Sequence, residues 1–182
     1  SEEALAELGC ARLKNVDNSK VLVGGMGMGF TLASTLLMVS GSCEVTVAEL
    51  IPEVVEWNRG PLGECAGQPL QDSRVRVHIG DVADVISGAE GGFGAILLDV
   101  DNGPEGLTND ENQWLYSLPG LRAIHRALSP QGTLAVWSAG PDPLFVIRLK
   151  KVGFHASVRS VRARPGKGSH HTIFLAKKGS PL

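Results

Sequence analysis

The stretch "VLVGGMGMGFTL", residues 21–32, follows a short β-branched run with four glycines in six positions, broken only by Met26 and Met28, and then turns apolar again. A strand does not run through so many glycines and a helix does not start inside them. The stretch therefore predicts a strand, a tight turn and a helix opening near Met28 or Gly29. Glycines at such a junction let the backbone come close to something. That something is either a packed helix or a ligand held against the N–H groups of the helix's first turn.

Working outward, short β-branched runs alternate with helical patterns. Strands are expected at 20–24, 44–50, 74–80, 93–100, 132–138, 155–163 and 170–178, and helices at 29–39, 52–59, 82–88, 112–128 and 142–152, with residues 1–14 loosely periodic as a leading helix. Alternation of this kind implies right-handed crossovers and a mostly parallel sheet covered on both faces. The nearly unbroken apolar run "AILLDV" fits a central strand. Only "RPGKGS" separates the last two strands, so they are expected to pair as an antiparallel hairpin at the sheet edge. Residues 60–73 and 101–111 are long connections rich in Gly, Pro and acids, the places where such folds carry function. No linker or repeat interrupts the chain, and a single domain over 1–182, with 1–17 as a leading extension, is the expectation.

Composition narrows the function classes. With 182 residues, 43% hydrophobic and 20% charged, the chain is long enough to bury a core and reads as a soluble globular domain. No run reaches the length of a membrane span, and the start is acidic where a secretory signal needs basic residues, so the expectation is a cytoplasmic protein that does not meet a membrane. Cys10, Cys43 and Cys65 are odd in number and have no metal-ligand spacing, which predicts reduced thiols and no zinc site. The net charge of −2 is unevenly spread: residues 1–142 hold 8 Lys and Arg against 19 Asp and Glu, and residues 143–182 hold 9 basic residues and no acid. The basic end is read chiefly as a solvated surface, with nucleic acid as the less favoured partner.

Two acids bear on the glycine turn. Glu49 ends the second strand 20 residues after Gly29, where a carboxylate can accept hydrogen bonds from both ribose hydroxyls, with Leu50 beside it. Asp81, followed by Val82, ends the third strand, where it can accept from an adenine amino group or cap the next helix. Acids at the ends of successive strands of one sheet point to a nucleoside ligand on Gly25, Gly27, Met28 and Gly29.

The order "VLVGGMGMG", "VTVAEL", "VRVHIGDV", "AILLDVD", "LSPQGTLAV" resembles the S-adenosylmethionine-dependent methyltransferase fold, a Rossmann-like α/β sheet. Within it the chain is most similar to the spermidine synthases, or polyamine aminopropyltransferases, over residues 18–140. The resemblance implies a seven-stranded sheet of order 3-2-1-4-5-7-6 and a transferase that uses S-adenosylmethionine or its decarboxylated form as co-substrate. It also implies that Gly25, Gly27 and Gly29 line the methionine-like part, Glu49 the ribose, and Asp81 with Val82 the adenine. Asp99 matches the first aspartate of the family's loop after the fourth strand, which positions and deprotonates the attacking amine, and Asp101 stands as its partner.

That chemistry suits the residues. An ammonium must lose a proton before its nitrogen can attack the carbon next to a sulfonium, and a carboxylate can take it. Asp99, Asp101, Glu105, Asp110 and Glu111 together offer a seat for a polycation such as a polyamine. A homodimer, with pocket walls supplied by a partner chain, is compatible with this reading. Two rivals use the same pocket: methyl transfer to a small molecule, or to an RNA held near Arg162, Arg164 and Lys167, and a non-catalytic nucleoside-binding domain. No metal is expected, since neighbouring His170 and His171 point to opposite faces of a strand. Trp114, Tyr116 and Trp137 are candidate walls for a substrate, Trp137 for a cation, and Met26 and Met28 are candidates to touch the sulfonium.

Overall fold

The computed structural model describes residues 1–100, 113–164 and 167–179. In chain order it forms α1 (Glu2–Cys10), β1 (Lys20–Gly24), α2 (Phe30–Met38), β2 (Glu44–Glu49), α3 (Pro52–Arg59) and α4 (Pro61–Cys65). A 3-10 turn (Pro69–Gln71), β3 (Val75–Ile79), α5 (Val82–Ser87) and β4 (Phe93–Leu98) follow. Then come α6 (Gln113–Tyr116), α7 (Leu118–Ala127), β5 (Leu128–Ser138), α8 (Pro143–Lys151), β6 (Phe154–Arg164) and β7 (Lys167–Lys178).

One seven-stranded sheet results, of order β3-β2-β1-β4-β5-β7-β6. Strands β1 to β5 pair in parallel, and β7 pairs antiparallel with both β5 and β6. The expected order is thus observed, with β6 at the edge and β7 inserted beside β5.

Alternation along each strand divides the core into two layers. Val21, Val23, Val45, Val47, Ala95 and Leu97 face α1, α2 and α3 through Leu5, Leu32, Leu36 and Val55. Leu22, Ile96, Leu98, Leu134, Val136 and Phe174 face α5, α7 and α8 through Ile86, Leu121, Ile124, Phe145 and Leu149. Adjacent residues on β4, buried on both sides, explain why "AILL" carries no polar position.

Three boundaries differ from the sequence reading. The helix expected over 112–128 is broken at Ser117, whose Oγ accepts from Gly120 N (3.2 Å) and caps α7, with Pro119 in the new first turn. Strand β5 starts at Leu128 rather than Gly132, because Leu128 already pairs with Phe93 ahead of a register shift. Residues 60–73 hold α4 and the 3-10 turn, because Gly60-Pro61 stops one helix and starts the next. The connection 101–111 lies outside the described residues.

No described helix is long and apolar enough to cross a membrane. The three cysteines are free, and burial pushes the Cys10 thiol up to about 12.

Candidate functional site

The carboxyl ends of β1, β2, β3 and β4 converge on the glycine turn, and its three positive-φ glycines have different causes. At Gly25 (φ +87°) a Cβ would stand 2.4 Å from the Asp99 carbonyl oxygen, so only glycine lets the two strand ends touch there. At Gly29 (φ +82°) a Cβ would meet Asn58 Oδ1 at 3.0 Å and Pro69 at 3.3 Å. At Gly27 (φ +48°) a Cβ would meet nothing within 4 Å. The protein itself thus demands Gly25 and Gly29, and the open face of the turn is at Gly27.

Met26 and Met28, alike in sequence, are separated by the turn. Met26 is buried under α1 and α2, whereas Met28 is exposed. Leu50 and Ile51, after β2, and Ile79, at the end of β3, are exposed apolar residues on the same edge of the sheet.

Glu49, nearly buried, holds this junction together. Its Oε2 accepts from Met26 N (2.9 Å) and its Oε1 from Ile51 N (3.0 Å). A carboxylate has about four acceptor sites, so one further bond to each oxygen is still open. Asp81 caps α5, with Oδ1 accepting from Ala83 N (2.8 Å), and its Oδ2 has no partner among the described residues. The side chain of Val82 is in the core against Gly24, which leaves its backbone as what it can offer a ligand.

Asp99 follows β4, and its N–H donates to Gly24 O (2.8 Å), which fixes its backbone against the turn. Its Oδ2 accepts from Thr31 Oγ1 at 2.6 Å, a buried hydroxyl in the first turn of α2. Burial raises the Asp99 carboxyl above its ordinary value, the Thr31 bond opposes that rise, and Glu2 adds to it. The outcome is a carboxylate with more affinity for a proton than an exposed one.

Asp101 and the acids Glu105, Asp110 and Glu111 lie outside the described residues. Trp137 stands one step past the Leu98–Val136 pair, on the Asp99 face of the sheet, with its ring 4.7 Å from that of His171. Tyr116 is buried and packs edge-on against Phe145 (5.7 Å), and Trp114 packs on the same core. His170 bonds Ser160 Oγ at 3.1 Å while His171 meets Trp137, so the two imidazoles do point apart. No metal-holding cluster occurs among the described residues. Two cavities among the described residues, of about 330 and 420 Å³, lie at the amino edge of the sheet and between α2 and the 66–74 segment.

Two residues at the site escaped the sequence reading. Thr31 reads there as an ordinary helix residue. Asn58 reads as the end of a helix, yet its Nδ2 donates to Gly27 O at 2.9 Å. The available signals were a polar residue one position inside the helix after the glycines, and the "NRGPLG" break that surrounds Asn58.

No family model matches the chain. Polyamine aminopropyltransferases do: that of Nitrosomonas europaea is 31% identical over 125 residues, covering 69% of this chain and 37% of the relative. That of Prochlorococcus marinus is 27% identical over 131 residues, covering 71% and 44%. The matches thus span well under half the length of these relatives.

Among solved structures, spermidine synthase from Thermotoga maritima superposes with a TM-score of 0.75 at 21% identity, over 99% of this chain and 59% of that one. Precorrin-6y C5,15-methyltransferase from Geobacter metallireducens gives 0.67 at 14% identity, over 97% and 87%. TrmN from Thermus thermophilus gives 0.65 at 22% identity, over 97% and 48%. The chain therefore resembles the polyamine aminopropyltransferases in sequence and has the Rossmann-like methyltransferase fold.

Proposed function

We propose that this chain is a transferase domain that binds an adenosyl sulfonium, S-adenosylmethionine or its decarboxylated form, and moves an aminopropyl or methyl group onto an amine or another small nucleophile. One observation carries the reading. Glu49 and Asp81 keep acceptor capacity at the ends of β2 and β3, and Asp99, with its raised proton affinity, stands across the turn from them.

The residues fit such a ligand. Glu49 would accept from the ribose hydroxyls and Asp81 Oδ2 from the adenine amino group. Leu50, Ile51 and Met28 offer apolar surface to the ring and the carbons around the sulfonium. The open side of Gly27 leaves room for the tail. When bound, the sulfonium supplies an electrophilic carbon whose bond to sulfur breaks with the electron pair going to sulfur.

Asp99 has the remaining work. It takes a proton from the incoming ammonium, so that the nitrogen lone pair is free to form the new bond, and then holds the cation that results. Thr31 fixes the direction of its Oδ2 and limits how far its proton affinity rises. Asp101 is its partner in this reading by sequence position. A polyamine is the acceptor that the resemblance favours.

The test is to supply the chain with each sulfonium and a panel of diamines and polyamines, and to follow the nucleoside product. Release of 5′-methylthioadenosine signals aminopropyl transfer and release of S-adenosylhomocysteine signals methyl transfer. Binding of both sulfonium ligands without either product, across the panel, contradicts the transferase reading and leaves a nucleoside-binding domain.

A further inference from the structure

Asn58 is 1% exposed and sits in the last turn of α3. Its Nδ2 donates to Val54 O (2.9 Å) in its own helix and to Gly27 O (2.9 Å) across the site, while its Oδ1 is buried with no partner among the described residues. A buried amide with an idle oxygen is an unfavourable choice for merely filling space, because an apolar side chain of similar volume carries no unpaired oxygen.

The neighbouring sequence is nevertheless shaped around it. A Cβ on Gly63 would lie 2.0 Å from the Asn58 carbonyl oxygen, and a Cβ on Gly29 would lie 3.0 Å from its Oδ1. The turn through Gly60, with Gly60 N donating to Glu56 O and Trp57 O (both 3.2 Å), brings α4 back over the same residue. Gly29 thus leaves room for the amide oxygen, and Gly63 lets α4 press on the backbone of the same residue.

What the amide does there is orient one peptide. By holding Gly27 O it fixes the plane between Gly27 and Met28. In a planar trans peptide the N–H points opposite to the C=O, and no peptide of the described chain is cis. Met28 N–H is thereby turned away from α3, and it has no acceptor among the described residues. An idle donor on the open side of the turn suits a ligand atom that accepts.

We propose that Asn58 is a positioning residue that presents Met28 N–H to the tail of the sulfonium ligand and so sets which sulfonium the site prefers; the inference rests on the adenosyl-sulfonium reading above. The carboxylate of S-adenosylmethionine accepts from a backbone N–H, whereas the decarboxylated tail ends in an ammonium, which only donates. The site then favours the carboxylate-bearing ligand through a residue that touches no ligand atom itself.

Calorimetric titration of wild type and Asn58→Leu with S-adenosylmethionine, its decarboxylated form and 5′-methylthioadenosine tests this, with thermal unfolding run beside it. The expected result is a loss of about tenfold or more in affinity for S-adenosylmethionine, the size of one charge-assisted hydrogen bond, and under about threefold for the other two. Equal losses for all three overturn the inference and leave Asn58 a purely structural residue.

Should Asn58→Leu fail to fold, the wild-type Met28 amide resonance gives the answer. It shifts on binding S-adenosylmethionine and stays near its place with 5′-methylthioadenosine, and equal shifts with both overturn the inference. A folded wild type that binds none of the three contradicts the adenosyl reading and this inference with it. Binding that is insensitive to Asn58 removes the inference alone.

Discussion

From β1 to β4 the strands are parallel and five or six residues long, and their carboxyl ends run into glycines and acids. The β6–β7 hairpin runs antiparallel for 11 and 12 residues and carries no acid. In the first region side chains at a strand end and on the flanking helices hold the turn: Glu49 on Met26 and Ile51, Thr31 of α2 on Asp99, Asn58 of α3 on Gly27. In the second region Ile173 and Leu175 of β7 fill one core layer and Phe174 and Ala176 the other, while the neighbouring edge strand β6 is exposed over residues 157–160. The difference teaches where a substitution registers as lost chemistry and where it registers as lost stability.

The sharpest separation comes from Phe174, which is 1% exposed and stacks edge-on with Phe145 at 5.1 Å. Phe174→Ala is expected to lower unfolding free energy by about 3–5 kcal/mol in urea. Its 5′-methylthioadenosine affinity below the new midpoint is expected to be unchanged. A specific loss of ligand affinity would break the comparison.

Asp99→Asn does the reverse. Turnover is expected to fall by about 10²–10⁴-fold, the range for a lost general base, with sulfonium affinity kept within about threefold. Its pH behaviour follows from the raised carboxyl. Wild-type rate climbs as Asp99 ionises, on an acid limb above the ordinary carboxylate range. For stability the sign is opposite, because between the unfolded value near 3.8 and the raised folded value the native state retains a proton that the unfolded chain has lost. Stability from this group is therefore full below that window and falls as pH rises through it. Thermal unfolding should find Asp99→Asn at least as stable as wild type at neutral pH, with the gap closing in acid. A less stable Asn variant at pH 7 would show that the ionised carboxylate is favoured by the fold.

Gly25 and Gly27 test the site region against itself. Gly25→Ala drives a Cβ into the Asp99 carbonyl at a positive φ and should cost about 2–4 kcal/mol. Gly27→Ala meets no neighbour and should cost about 1 kcal/mol, the ordinary penalty of the left-handed region, while weakening the sulfonium ligands more than its small stability loss. Equal stability losses in the two variants would contradict the assignment of the open face to Gly27. The smallest effect is expected on the exposed hairpin: Arg159→Ser should stay within about 0.5 kcal/mol and leave ligand affinity alone.

The sheet was legible because its signals are local and repeated. "KVLVG", "EVTVAE" and "AILL" each announce a strand by themselves, and the short "RPGKGS" link forces the last two strands to pair. The strand-end acids were legible for the same reason: Glu49, Asp81 and Asp99 stand where runs of β-branched or apolar residues stop. Thr31 and Asn58 were not, because what they do depends on partners 68 and 31 residues away. A helix interior gives no outward sign of which strand end it faces. The break at Ser117 was missed because the capping hydroxyl sits inside an otherwise unbroken helical pattern, with Pro119 the only local hint. The glycines show the same limit, since four alike in sequence divide into those pressed by protein and one that faces open space only once the chain is folded.

In the proposed function the carboxyl edge around Gly27, Glu49 and Asp81 takes an adenosyl ligand. Calorimetric titration of the folded chain with 5′-methylthioadenosine, repeated on Glu49→Gln, tests it most directly. One site per chain is expected in the wild type and an affinity lowered by about tenfold or more in the variant, which loses acceptor capacity toward the ribose. No binding by the folded wild type, or equal binding by both proteins, contradicts it.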